Sequence, residues 1–178
     1  MIGSHNTFTY MRPSKRWMYL LIPFARCQSR SIAEQAKRGA MLADMRVRYV
    51  AKERKWYVCH GLVTYCTIND AISRIFETSI RKVRILIEGD CTVSDLMRLQ
   101  DYLSLYPEIL FYEGKRKSNW TQVLHNLPSL LVYQYVGSMQ SWYGKICPWL
   151  YTAFNKARIK RYLQLAAETQ IICTFDFL

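Results

Sequence analysis

The 178-residue chain is poor in acidic residues, in long apolar runs and in paired cysteines. Thirteen Asp and Glu stand against 25 Lys and Arg, a net charge of +12. Such an excess favours anionic partners, a phospholipid surface or a nucleic acid, without choosing between them, and a solvated basic face is the plainer reading. None of the six cysteines forms a C-x-x-C pair, and Cys59 and Cys66 lack partners at zinc-finger spacing. The spacing therefore excludes a recognisable zinc module and argues for a reducing compartment over a disulfide framework. The apolar patch WMYLLIPFA (Trp17 to Ala25) is too short to span a bilayer and is broken by Pro23. The first residues show no basic stretch followed by a long apolar one, so no signal peptide is read, and a cytoplasmic or peripheral-membrane location is expected. With no repeat or low-complexity linker, residues 1–178 are expected to form a single domain.

The 51% hydrophobic content, with 14% aromatics, is enough for one buried core. Strand-like and helix-like segments alternate along the chain. After an opening strand comes WMYLLIPFA, preceded by Arg12, Lys15 and Arg16. It reads either as a surface-seeking segment or as a piece packed across the mouth of the core. SIAEQAKRG carries a capping box, Ser31 with Glu34, and ends at Gly39. Residues 41–50 alternate, with Leu42, Asp44, Arg46 and Arg48 on one face and Met41, Ala43, Met45 and Val47 on the other. Further strands are expected at 55–61, 82–90, 108–114, 129–136 and 170–178. Helices are expected at 67–79, 92–107, 121–128 and 157–169, and an eighth strand is sought between Ile146 and Phe154. His125, on the helix at 121–128, is read as structural.

This alternation predicts an α/β protein with a largely parallel sheet, a small, incomplete or distorted TIM-type (β/α) barrel. A doubly wound sheet is the structural alternative, but no Gly-rich phosphate loop follows any strand. In parallel barrels the chemistry sits at the C-terminal strand ends. Found there are His5, Asp44 with Arg46, His60, Glu88, Glu113 and Asp176, a set that core packing does not demand.

Gly3-Ser4-His5-Asn6, Gln35 with Gly39, Asp44-Met45-Arg46 and His60-Gly61 together resemble the X-type catalytic domain of phosphatidylinositol-specific phospholipase C, in the family's order and roughly its spacing. The strong match covers residues 2–61; beyond it, only the order of elements, Glu88 and the closing Phe175-Asp176-Phe177 agree. The resemblance implies a distorted barrel that cleaves a phosphodiester through a cyclic inositol phosphate. His5 would be the general base, His60 the general acid, and Arg46 the cation facing the phosphoryl oxygens. Asp176 would orient His5, and Asp44 would brace Arg46. Asn6 and Glu88 would meet the substrate. Trp142 and Tyr143 would stack on a ring face, insert in a lipid interface, or simply pack within their loop.

Calcium-dependent members resemble this chain at Asn6 and Glu88 but carry a carboxylate where Arg46 stands. A guanidinium repels the ion and removes an oxygen ligand. No metal or other cofactor is therefore expected, although Glu88 leaves some room for calcium. The expected partners are a phosphatidylinositol-type phospholipid and an anionic membrane surface, with nucleic acid set aside. Another phospholipid or a glycerophosphodiester is the alternative substrate. A barrel that binds anionic surfaces without catalysis is the alternative function.

Overall fold

The computed structural model describes residues 1–114, 127–128, 133–169 and 171–177. The expected helix at 121–128, with His125, lies almost wholly outside them, as does the first half of the expected strand at 129–136.

Among the described residues, eight strands form one sheet: β1 (Ile2–Ser4), β2 (Ala40–Val50), β3 (Lys55–His60), β4 (Val63–Thr67), β5 (Lys82–Ile87), β6 (Leu110–Glu113), β7 (Tyr133–Val136) and β8 (Ile172–Phe175). Six of them run parallel in the order β6-β5-β2-β1-β8-β7. The sheet curls into a partial TIM-type barrel, as the alternation of elements predicts.

The 11-residue β2 organises the sheet. Leu42 to Val47 pair with β5 along one edge. On the other edge, Ala40 to Ala43 pair with β1 and Arg46 to Val50 pair with β3. Between these two partners the edge is open beside Asp44, and there the chain of β1 turns away towards His5. Thr7 N–H donates to the Asp44 carbonyl at 2.9 Å across that gap.

The antiparallel β3–β4 hairpin is the departure from parallel pairing within a largely parallel sheet. Its register, His60 opposite Val63, leaves a two-residue turn of Gly61 and Leu62. Gly61 sits at φ +57, a conformation open to glycine at no steric cost. His60 is thereby held at a hairpin tip rather than at the exit of a barrel strand. The expected helix at 67–79 begins one residue later, as α3 (Ile68–Phe76) capped by Thr67. The strand sought between Ile146 and Phe154 is instead helical, α5 (Trp142–Ile146) followed by α6 (Pro148–Phe154).

The remaining helices are α1 (Ile22–Ala25), which follows a 3-10 turn at Arg16–Leu21, α2 (Ile32–Lys37), α4 (Val93–Ser104) and α7 (Lys156–Glu168). The Ser31–Glu34 capping box of α2 forms as expected, and Thr92 with Asp95 makes a second one at α4. Ile68, Ala71, Ile72 and Ile75 of α3, and Leu99 and Leu103 of α4, bury against Ala43, Met45 and Val47 of β2 and Val83, Ile85 and Ile87 of β5. The apolar stripes are spaced as an amphipathic helix requires. The opposite face of β2, with Asp44 and Arg46, looks into the barrel. Gly3 fits there because a Cβ would meet Thr174 Cγ2 at 2.7 Å. That close approach lets β1 sit between β2 and β8.

Candidate active site

His5 leaves β1 with its backbone clamped. Its N–H donates to the Phe175 carbonyl at 3.0 Å, and Gln28 Nε2 bridges the His5 and Phe175 carbonyls at 3.0 and 2.7 Å. The Ser4 hydroxyl donates to Gln35, whose amide also donates to the Thr7 carbonyl at 3.0 Å. Polar side chains here tie the strand end to neighbouring backbone, and they are satisfied in doing so.

The imidazole is held on three sides. Its Nδ1 lies 2.6 Å from Asp44 Oδ2, and the Tyr135 ring stands 4.3 Å from its centroid. Against a carboxylate, Nδ1 carries the proton, which leaves the lone pair of the neutral ring on Nε2. Asn6 Nδ2 donates to that nitrogen at 2.9 Å and reaches Cys27 Sγ at 3.5 Å. Asn6 adopts φ +45, a left-handed turn that Asn tolerates better than most residues.

Two of the expected pairings are corrected. Asp44 does not brace Arg46. It binds His5 through Oδ2 and takes the Arg84 guanidinium on Oδ1 at 2.6 Å. Burial alone would push the Asp44 carboxyl up, but Arg84 and His5 hold it well below the usual carboxylate range. The register explains the pairing, since Asp44 lies directly opposite Arg84 of β5. Asp176, expected to orient His5, instead accepts from the Tyr135 hydroxyl at 2.7 Å and the Ser138 N–H at 2.8 Å, both on Oδ2.

Arg46 is braced by Glu88, with Nη1 to Oε1 at 2.7 Å. Burial pulls the guanidinium down, yet the Glu88 carboxylate, helped by Asp44 and Cys27, makes the net shift upward. Glu88 was expected to meet the substrate, but its oxygens serve the protein. Oε2 accepts from Gly61 N–H at 3.2 Å and from Cys59 Sγ at 3.7 Å, with Arg48 Nη2 at 3.9 Å. One buried carboxylate thus holds both the arginine and the hairpin tip. At that tip His60 Nδ1 donates to the Ala25 carbonyl at 2.8 Å, so the lone pair of its neutral ring is on Nε2.

His5, Arg46 and His60 line one cleft of about 360 Å³, together with Cys27, Glu88, Tyr135, Ser138 and Lys145. Its mouth is apolar, lined by Leu21, Phe24, Leu62, Met139 and Pro148. The segment Trp17 to Ala25 supplies part of that mouth, so it does pack across the opening. It also exposes Trp17, Tyr19, Leu20 and Phe24. Trp142 projects from α5 and, like Tyr143, does not line the cleft. Tyr143 packs edge-on against Trp142 and Phe154, and its hydroxyl accepts from Asn155. Asn6 stands behind His5 and does not line the cleft either.

Cys27, Arg84, Tyr135, Ser138 and Lys145 were not anticipated from sequence. Arg84 had a signal, a cation flanked by apolar residues inside the β-rich run Lys82–Ile87. Cys27 had none.

The α/β chain curls into a partial barrel, with two histidines and an arginine lining one cleft. Comparison with solved structures names that fold as the one found in bacterial phosphatidylinositol-specific phospholipase C. The enzyme from Listeria monocytogenes superposes with a TM-score of 0.68 at 14% identity, over 99% of this chain and 87% of that one. A double mutant of the S. aureus enzyme gives a TM-score of 0.46 at 19% identity, over 74% and 45% of the two chains. No family model matches the sequence, and no curated protein matches it. Among the described residues, no helix is long and apolar enough to cross a membrane.

Proposed function

We propose that the chain is a phosphodiesterase of the phospholipase C kind that cleaves phosphatidylinositol-type phospholipids without a metal. The observation that carries this reading is the shared cleft: His5 and His60 line it together with Arg46. His5, oriented through Nδ1, takes the proton of the attacking inositol hydroxyl on Nε2 once the Asn6 amide gives way. The hydroxyl oxygen attacks phosphorus. His60, protonated and anchored at Ala25, gives the Nε2 proton to the departing diacylglycerol oxygen, and a cyclic phosphate remains. Each proton transfer is worth roughly 10²–10⁴ in rate. Arg46 offers donors to the phosphoryl oxygens as charge develops on them. Glu88 keeps it in place as a positioning residue.

The apolar mouth and the +12 charge suit a lipid whose head group enters the cleft while its tails remain at an anionic surface. The test is turnover of phosphatidylinositol vesicles and of a soluble inositol phosphodiester with chelator present. Cleavage of both, lost in His5→Ala and His60→Ala variants that keep their circular dichroism, is expected. Activity that vanishes on chelation and returns with calcium would overturn the metal-free reading. No cleavage of either substrate, with vesicle binding retained and weakened by salt, would favour the surface-binding barrel.

A further inference from the structure

His5, Cys27 and Asp176 each offer a ligand atom, and these atoms lie within 4.8 Å of one another behind the cleft. All three residues are buried. The Nδ1 of His5 is taken by Asp44, and Nε2 points towards Cys27 with the Asn6 amide donating to both, so that amide turns aside when an ion enters. Asp176 Oδ2 is taken by Tyr135 and Ser138 N–H, while Oδ1 is buried with no hydrogen-bond partner. Asn6 Oδ1 is likewise buried without a partner. A carboxylate oxygen without a partner in the interior is costly, and this carboxylate has an oxygen within 4.8 Å of a thiol and an imidazole nitrogen.

We propose that this cluster is an inhibitory site for a thiophilic divalent metal, zinc by its chemistry, bound by His5 Nε2, Cys27 Sγ and Asp176 Oδ1 with a fourth position open to the cleft. Imidazole, thiolate and carboxylate are the zinc donor set, whereas calcium takes oxygen ligands alone. A triangle with edges of 4.8 Å would hold an ion about 2.8 Å from each corner, against about 2.0–2.3 Å for zinc bonds, so the side chains close by roughly half an ångström on loading. Charge balances, because the Cys27 thiolate and the Asp176 carboxylate offset the ion while Arg46 stays paired with Glu88. The thiol proton leaves to solvent as the metal binds. Both His5 and Cys27 line the cleft, which gives the metal its way in. The bound ion occupies the lone pair that a general base at His5 needs, and this consequence rests on the function proposed above. Metal binding itself does not rest on it.

The experiment adds cobalt(II), then zinc, to the whole purified chain under reducing conditions. Expected is a thiolate-to-cobalt absorption band that saturates at one metal per chain and is displaced by zinc. The band should be lost in Cys27→Ala, weakened at least about tenfold in affinity in Asp176→Asn, and retained in Cys59→Ala and Cys147→Ala. X-ray absorption of the zinc-loaded wild-type chain needs no variant to fold, and should show one sulfur at about 2.3 Å with nitrogen or oxygen at about 2.0–2.2 Å. No band, a band that survives Cys27→Ala, or a zinc shell without sulfur would overturn the site, whatever the enzyme assay shows. If the band forms as described while zinc leaves turnover unchanged, the site stands and its inhibitory role falls.

Discussion

Asp44 Oδ2 sits 2.6 Å from Nδ1 of His5, and Arg84 holds the other oxygen of the same carboxylate at the same distance. The two residues are far apart in sequence and meet because β1 ends beside the middle of β2, where the β2 edge lacks a strand partner. A carboxylate on Nδ1 sets the tautomer that leaves Nε2 basic. Asp44→Asn should therefore lower kcat on a soluble inositol phosphodiester by about 10²–10⁴-fold with little change in KM. Asp176→Asn, in metal-free buffer, should cost much less, since Asp176 binds Tyr135 and Ser138 N–H. Equal losses in the two variants would restore Asp176 as the residue that orients His5.

Glu88 is fully buried and ties Arg46 to the hairpin tip. Removing one member of a buried pair leaves the other charge uncompensated. Glu88→Leu should lower stability by about 3–5 kcal/mol, and Arg46→Met combined with Glu88→Leu should recover most of it. Urea denaturation midpoints measure both. The double variant should remain inactive, which separates the structural share of the pair from its catalytic share.

The close contact at Gly3 makes a steric prediction. Gly3→Ala places a methyl 2.7 Å from Thr174 Cγ2 and should destabilise by about 1–3 kcal/mol. Thr174→Ser removes that methyl and should restore part of the loss. Recovery stays incomplete because Leu42 Cδ2 stands 3.2 Å away on the other side. Additive losses in thermal unfolding would count against this account.

The α4 capping box makes stability depend on pH. The Thr92 hydroxyl and N–H donate to Asp95, and the hydroxyl bond is the chief cause that lowers the Asp95 pKa below its ordinary value. A carboxyl with a depressed folded-state pKa stabilises above its unfolded pKa, about 3.9. That stability fades as pH falls through the lower folded value. Between pH 5 and pH 3 (roughly the window set by that unfolded pKa), Asp95→Asn should lose less stability than the wild-type chain does. Identical slopes in denaturant titrations across that range would exclude the effect.

Much of the fold was legible because its signals are local. The Ser31–Glu34 box, the apolar stripe of α3 and the period-two alternation of β2 each lie within a few residues, and each formed where its pattern placed it. The β3–β4 hairpin carried a local signal as well, a Gly-Leu pair between two β-rich runs, but no element is expected from sequence between Gly61 and Thr67, where β4 lies. The segment from Ile146 to Phe154 misled for a different reason. Its aromatic and β-branched residues suit a strand, yet Pro148 opens the helix α6 there. The loop expected before it holds α5, capped by Ser141.

From sequence alone came the candidates: a histidine after the first strand, an acid and an arginine two apart on the second, and a His-Gly pair beyond. Strand periodicity put Asp44 and Arg46 on one face, because side chains alternate along any extended chain. Which carboxylate serves which cation was decided only in three dimensions. Asp44 and Asp176 both lie close to His5, and no local rule ranks them. The β2–β5 register sets Arg84 opposite Asp44, and Glu88, just past the end of β5, takes Arg46 and the hairpin tip. Tyr135 and Ser138, brought in by the seventh strand and the turn after it, claim one oxygen of Asp176 and leave the other without a hydrogen-bond partner. Partner choice inside a barrel follows from register and from competition for lone pairs, and both are properties of the closed sheet.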